Sequence, residues 1–157
     1  MQIMDRDASI TFAVQLQRQL GELVKAYALC DQGCLAQNGV TTAQSYTLLS
    51  LPEKGYLTMN GLSETMALAN STMTRMVDQL VQKGLVQRKP DDEDRRIVLV
   101  GLTDQGQDLR RTLEQNLHQF FGQVAARIQD NERPLVLHAL EQVTNLVRTA
   151  ALGDCCE

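Results

Sequence analysis

Tryptophan is absent from this chain, aromatic residues make up only 4% of it, and proline occurs three times. A sandwich or barrel of many short strands draws on aromatic and β-branched residues and on frequent turn signals. The composition therefore disfavours an all-β fold, and the abundance of Leu, Gln, Ala and Val points to helices packed by aliphatic side chains. No segment approaches the roughly 20 consecutive apolar residues of a membrane-spanning helix. The stretch MQIMDRDASI carries charges where a secretory signal needs an apolar run. The expectation is a cytoplasmic protein with no membrane partner. Also missing are a glycine-rich phosphate loop and a Ser or Cys nucleophile with a recognisable His partner, so no enzyme activity is expected.

What is present is an ordinary globular balance: 157 residues, 43% hydrophobic and 22% charged, with a formal net charge of −4. That length suits one domain with a real core. The negative charge gives no global attraction to nucleic acid, so any DNA contact must be local.

Along the chain, Leu16, Leu20, Leu23, Val24 and Tyr27 form an amphipathic stripe, which predicts a long helix running towards Cys30 and ending at Gly33 or in CLAQNGV. Thr41 or Thr42 can cap a second helix, AQSYTLLSL, closed by Pro52 and Gly55. Two short helical patterns follow, split at Ala69, Asn70 and Ser71. In the second, Met73, Met76, Val77, Leu80 and Val81 mark a buried face, leaving Ser71, Thr72, Thr74, Arg75, Asp78, Gln79 and Gln82 outside, and Gly84 stops the helix. A helix pair whose second member shows a short, polar, hydrogen-bonding face is what a helix-turn-helix needs to enter a major groove about 12 Å wide. The same residues would also serve as a plain solvated surface.

LVQRK and IVLVGL, separated by the polar turn PDDEDRR, read as a β-hairpin, and the run Ile97, Val98, Leu99, Val100 suits a strand covered on both faces. The acidic run Asp91, Asp92, Glu93, Asp94 lacks the alternating ligands and glycine bend of a Ca²⁺ loop. Beside a DNA-reading helix, Arg95 and Arg96 make sense as a wing tip for phosphate or the minor groove, with Asp94 bracing one guanidinium through a carboxylate fork. From Leu57 to Gly106 the chain has six basic and seven acidic residues, so binding requires the two signs to be segregated in space. Thr103 can cap a long helix striped by Leu109, Leu113, Leu117, Phe120, Phe121, Val124 and Ile128. A break at Asp130 and Asn131, with Pro134 in the next first turn, opens a last helix through Leu137, Leu140, Val143, Leu146 and Val147.

The words NSTMTRMVDQLVQKG and GLVQRKPDDEDRRIVLVGLTDQG, in this order of parts, resemble the MarR family of winged helix-turn-helix transcription regulators. The family's Asp-Arg-Arg wing matches Asp94, Arg95 and Arg96, and its Leu-Thr-x-x-Gly matches Leu102, Thr103 and Gly106. The resemblance implies a mainly α fold with a small β-hairpin wing, in a single MarR-like domain over 1–157. Its dimerisation helices would lie at about 8–36 and 104–152, and its winged helix-turn-helix at about 41–103. It implies a homodimer on palindromic double-stranded operator DNA, acting as a repressor released by an effector. Carried over by position, Ser71, Thr72, Thr74, Arg75 and Gln79 would meet DNA from the helix, and Arg95 and Arg96 from the wing. The long apolar stripes of the terminal helices agree, since one small lobe cannot cover them.

Four cysteines stand out: Cys30 and Cys34, one helical turn apart in LCDQGCL, and the adjacent Cys155 and Cys156 in ALGDCCE. If the last helix packs near the first, these thiols converge. Converging thiolates suit soft ions such as Zn²⁺ or Cu(I), a metalloid such as arsenite, or an oxidant. No cofactor is required; such an ion would act as an effector. Some family members bind zinc at the start of the second helix, where this chain has Gln44 and Ser45, and His118 and His138 are isolated on their helices. Three alternatives stand beside thiol sensing: thiols that are inert packing or tail residues, a small organic effector with bystander cysteines, and an interaction adaptor that uses the same frame without binding DNA.

Overall fold

The computed structural model describes the main chain over residues 2–35 and 38–152, and side chains over 9–28 and 38–150. Six helices and three short strands follow in order: α1 Gln2–Leu35, α2 Thr42–Ser50, β1 Leu57–Thr58, α3 Met59–Thr65, α4 Asn70–Gln82, β2 Val86–Pro90, β3 Val98–Leu102, α5 Asp104–Ala125 and α6 Arg133–Leu152. The chain divides into two compact units, 1–116 and 117–157. None of the helices, among the described residues, is long and apolar enough to cross a membrane.

Local chemistry sets most boundaries in the first unit. Thr41 caps α2 in a reciprocal box: its hydroxyl accepts from the Gln44 amide at 3.3 Å, and the Gln44 side chain accepts from the Thr41 amide at 3.2 Å. Gly84, at φ 72°, ends α4. Its N–H reaches the Val81 carbonyl at 2.9 Å and the next, from Leu85, reaches Leu80 at 3.0 Å, the paired bonds of a Schellman ending. Thr103 caps α5 by accepting from the Gly106 amide at 3.0 Å, while its hydroxyl donates to the Gly84 carbonyl at 2.6 Å. The start of α5 is thus clasped to the end of α4, so closely that a Cβ on Gly106 would lie 1.9 Å from the Leu85 carbonyl oxygen.

The helix-turn-helix is α3 and α4, and the sheet has the order β1-β3-β2 with antiparallel pairing throughout. Leu48, Leu51, Leu62, Met73, Val77, Leu80, Val100 and Leu113 fill the core between these elements. In the β2–β3 hairpin Val86 faces Leu102, Arg88 faces Val100 and Pro90 faces Val98. A Cβ on Gly101 of β3 would stand 2.7 Å from the Tyr56 ring, so only glycine lets that ring lie against the strand.

Several expectations need correction. Of the two ends expected for α1, it takes the second: it continues through Gly33 and ends at Leu35 within CLAQNGV, because a single glycine weakens a helix without ending it. The break between α3 and α4 comes earlier than Ala69 to Ser71: it spans 66–69, with Ala67 at φ 50° making the turn. Pro90 is the last residue of β2 and not part of the turn, which a strand at the sheet's edge tolerates. β3 is covered on both faces only along its inner half: Val100, Gly101 and Leu102 are buried, yet Val98 and the preceding Ile97 are 39% and 40% exposed, because the outer half of the hairpin stands beyond the core. Val81 is exposed for a similar reason, at the edge of the α4 stripe.

In the second unit α6 begins after the break at Asp130, where Arg133 pairs with the Asp130 carboxylate at 2.7 Å and donates to the Ala125 carbonyl at 3.3 Å. Within the chain α6 has no buried side chain among those described. Leu135, Leu137, Leu140, Leu146 and Val147 are all exposed, as are Ile10, Phe12, Val14, Leu23 and Val24 of α1 and Phe121 and Val124 of α5.

Candidate nucleic-acid interface

α4 buries Met73, Val77 and Leu80 and turns Ser71, Thr72, Thr74 and Arg75 outward. Ser71 and Thr72 fall in its first turn, where unpaired main-chain N–H groups favour an anion. Ala69, at the cap, offers no side-chain acceptor to them. Ser71, Thr72 and the Arg75 guanidinium form no hydrogen bond or ion pair among the described residues, so their donors remain available. The Thr74 hydroxyl donates back to the Asn70 carbonyl at 2.8 Å, which leaves its oxygen as an acceptor. Gln79 is exposed but tied at its flank: its carboxamide oxygen accepts from the Gln44 Nε2 at 2.9 Å.

The wing tip is organised by its acidic residues. The Asp91 carboxylate accepts from the amides of Glu93 at 2.9 Å and Asp94 at 3.1 Å. Bonds from those two amides, Asp94 first, hold its pKa below the ordinary 3.8. The expected brace from Asp94 to a guanidinium is not formed. Instead its carboxylate accepts from the main-chain amide of Arg96 at 3.0 Å, and it forms no ion pair with Arg95 or Arg96 among the described residues. It shapes the main chain of the turn and leaves both arginine side chains free and exposed. A carboxylate two residues from an amide closes this small ring more easily than it reaches the end of a long side chain.

Opposite charges pair across the elements of the lobe. Arg88 of β2 pairs with Asp78 of α4 at 2.5 Å, and Lys89 lies 3.6 Å from Asp92 and 4.6 Å from the centre of the Tyr56 ring. Two of the acidic residues are thereby neutralised, while Arg75, Arg95 and Arg96 remain unpaired among the described residues. Thr74 and Arg96 line one groove of about 440 Å³, together with Asn60 from α3 and Arg88 from β2, so the helix face and the wing border a shared surface. The Asp78–Arg88 link has no signature in the sequence, since nothing local signals a partner ten positions away.

The thiol expectations fall largely outside the described residues. α1 carries positions 30 and 34 one turn apart on its main chain, but their side chains and the segment 153–157 lie outside that description. Among the described residues no group of three or more His, Cys, Asp or Glu could hold a metal ion. His118 and His138 are exposed, and Gln44 and Ser45 are buried.

A model of the MarR family matches residues 40–98, from the start of α2 into the wing. The HTH-type transcriptional repressor MdtR of Bacillus subtilis is 39% identical over 72 residues, 46% of this chain and 46% of that protein. The multiple antibiotic resistance protein MarR of Escherichia coli is 36% identical over 84 residues, 51% of this chain and 58% of that protein. The chain spans about half the length of the curated relatives it matches. Among solved structures, a mutant of E. coli MarR in complex with operator DNA superposes with a TM-score of 0.73 at 25% identity, covering 83% of this chain and 94% of that one. On the wing motif, the helix-turn-helix and these similarities, residues 40–98 are a winged helix-turn-helix segment of the MarR family.

Proposed function

We propose that this protein is a DNA-binding transcriptional regulator that works as a homodimeric repressor on a palindromic operator. The observation that carries this reading is the set of donors unpaired among the described residues: Ser71, Thr72 and Arg75 on the outward face of α4, with Arg95 and Arg96 on the wing. Thr74 adds an acceptor, and Gln79 serves at the flank of the same face. The operator DNA in the E. coli MarR complex supports the same use of this fold. Helices at about 8–36 and 104–152 form the dimerisation part, and about 41–103 the reading lobe. The exposed apolar side chains of α1, α5 and α6 support that division, because such stripes are stable in water only when covered.

Release from DNA is assigned to an effector, either a soft metal or metalloid ion or an oxidant taken up by Cys30, Cys34, Cys155 and Cys156. The one-turn spacing of positions 30 and 34 on α1 supports thiol capture. Anisotropy of labelled DNA from the protein's own promoter region tests both parts. The wild type is expected to bind with strong salt dependence, and Arg75→Ala to bind at least tenfold more weakly with its melting unchanged. Arsenite, Zn²⁺, Cu(I) or peroxide should release the wild type but not a Cys155→Ser, Cys156→Ser variant. Release of both proteins alike, or of neither, removes the thiols from sensing and leaves an organic effector. Absence of selective DNA binding would replace the regulator with an interaction adaptor.

A further inference from the structure

Arg88 sits on β2, opposite Val100 in the ladder, and Val100 is fully buried in the core. Its main chain is therefore fixed, and its guanidinium spans to α4 with two separate bonds: Nη1 to the Asp78 carboxylate at 2.5 Å and Nη2 to the Thr74 main-chain carbonyl at 3.1 Å. The pair is partly exposed, at 30% for Arg88 and 48% for Asp78, so its attraction alone is screened. A planar fork with two acceptors one turn apart on a helix is a geometric device all the same.

We propose that Arg88 is a positioning residue for DNA reading: its fork fixes the wing against the outward face of α4 and withdraws the Asp78 carboxylate from the field of the DNA phosphates. This rests on the DNA-reading function proposed above. Two physical consequences support it. Donors used on Asp78 and Thr74 are not free for a phosphate. Moreover Asp78 lies one turn beyond Thr74 and Arg75 on a face that must approach a polyanion, where an unpaired carboxylate would repel it. The wing hairpin projects from the core, so a tie at Arg88 sets its angle to α4 and lets Arg75 and Arg96 meet one duplex together.

The test compares Arg88→Ala, Arg88→Lys, Asp78→Ala and the double alanine variant by affinity for operator and random duplex across a salt series, with melting as a control for folding. Arg88→Ala should weaken operator binding about tenfold, the scale of one charge-assisted hydrogen bond, while random duplex changes less than about threefold and the salt slope stays constant. Arg88→Lys should lose nearly as much, because an ammonium keeps the charge without the fork. Asp78→Ala should raise random-duplex affinity but weaken operator binding, since it breaks the same fork, and on operator the double variant should be no weaker than Arg88→Ala.

Equal losses on both duplexes, with the slope falling by about 0.9, would make Arg88 a phosphate contact and overturn the proposal. So would full rescue by lysine or additive effects of the two alanines. Hydrogen exchange in the free protein judges the clamp without DNA: the amides of Lys89 and Leu99 should exchange faster in Arg88→Ala, and unchanged exchange overturns it. Should the wild type select no duplex, it is the regulatory function that falls, and the exchange result still decides whether the wing is held by Arg88.

Discussion

Gln44 and Gln79 join side chain to side chain across α2 and α4: the Nε2 of Gln44 donates to the Oε1 of Gln79 at 2.9 Å. The other end of the Gln44 carboxamide accepts from the Lys83 ammonium at 2.8 Å and from the Thr41 amide at 3.2 Å. Lys83 in turn donates to the Gly39 carbonyl at 2.7 Å. One buried side chain, only 4% exposed, thus completes the cap of α2 and fastens the second half of α4 to the connection before it.

Gln44→Ala should therefore destabilise by about 1–3 kcal/mol, since it removes a capping box and strands several polar groups. Gln79→Ala, which breaks one bond at an exposed flank, should cost less than about 1 kcal/mol. Urea denaturation followed by circular dichroism measures both, and equal midpoints would contradict the central place given to Gln44.

Gly106→Ala should be severe, because the new methyl would meet the Leu85 main-chain carbonyl, which cannot swing aside as a side chain can. Overpacking of this kind costs about 3 kcal/mol, or roughly 6–12 °C in melting temperature for a chain of this size. A thermal scan in which the variant melts with the wild type would show that α5 and the α4–β2 turn are not clasped.

Asp91 connects the wing to pH. Its folded pKa lies below its ordinary value because two amides donate to the ionised carboxylate. The bonds to Glu93 and Asp94 therefore support the turn above the ordinary carboxylate range and are lost as pH falls through the lowered value. In an NMR titration the amides of Glu93 and Asp94 should shift together with the Asp91 carboxyl, at a pH below that of an unrestrained aspartate. Asp91→Asn should abolish that titration.

Leu137 and Leu146 are 69% and 68% exposed on α6 of the single chain. If a second copy covers them, Leu146→Asp should move the mass seen by light scattering from dimer towards monomer and weaken operator binding with it. A wild type that already runs as a monomer at micromolar concentration would refute the homodimer.

Elements governed by neighbouring residues are legible in the amino-acid order itself. Thr41, Gly84 and Thr103 mark helix ends through chemistry contained within a few positions, and the Met73–Val77–Leu80 stripe follows from the helical repeat. The outward set Ser71, Thr72, Thr74 and Arg75 is readable for the same reason. β1 is not, because two residues are too short for an alternation to show. The exposure of Ile97 and Val98 depends on how far the hairpin projects, which no local pattern encodes. Asp94 takes an amide where its neighbours suggest a guanidinium, since the conformation of the turn decides which donor is nearest. The Asp78–Arg88 fork and the Gln44–Gln79 bond depend on where α2, α4 and β2 meet.

The edge position of β2 has a consequence for life in a crowded cell. An open strand edge invites another backbone to pair with it and so to build aggregates. Here Pro90 removes a donor from that edge at its outer end, and Arg88 and Lys89 place charge along it. The hairpin can extend beyond the core while remaining a poor template for strand addition by neighbouring chains.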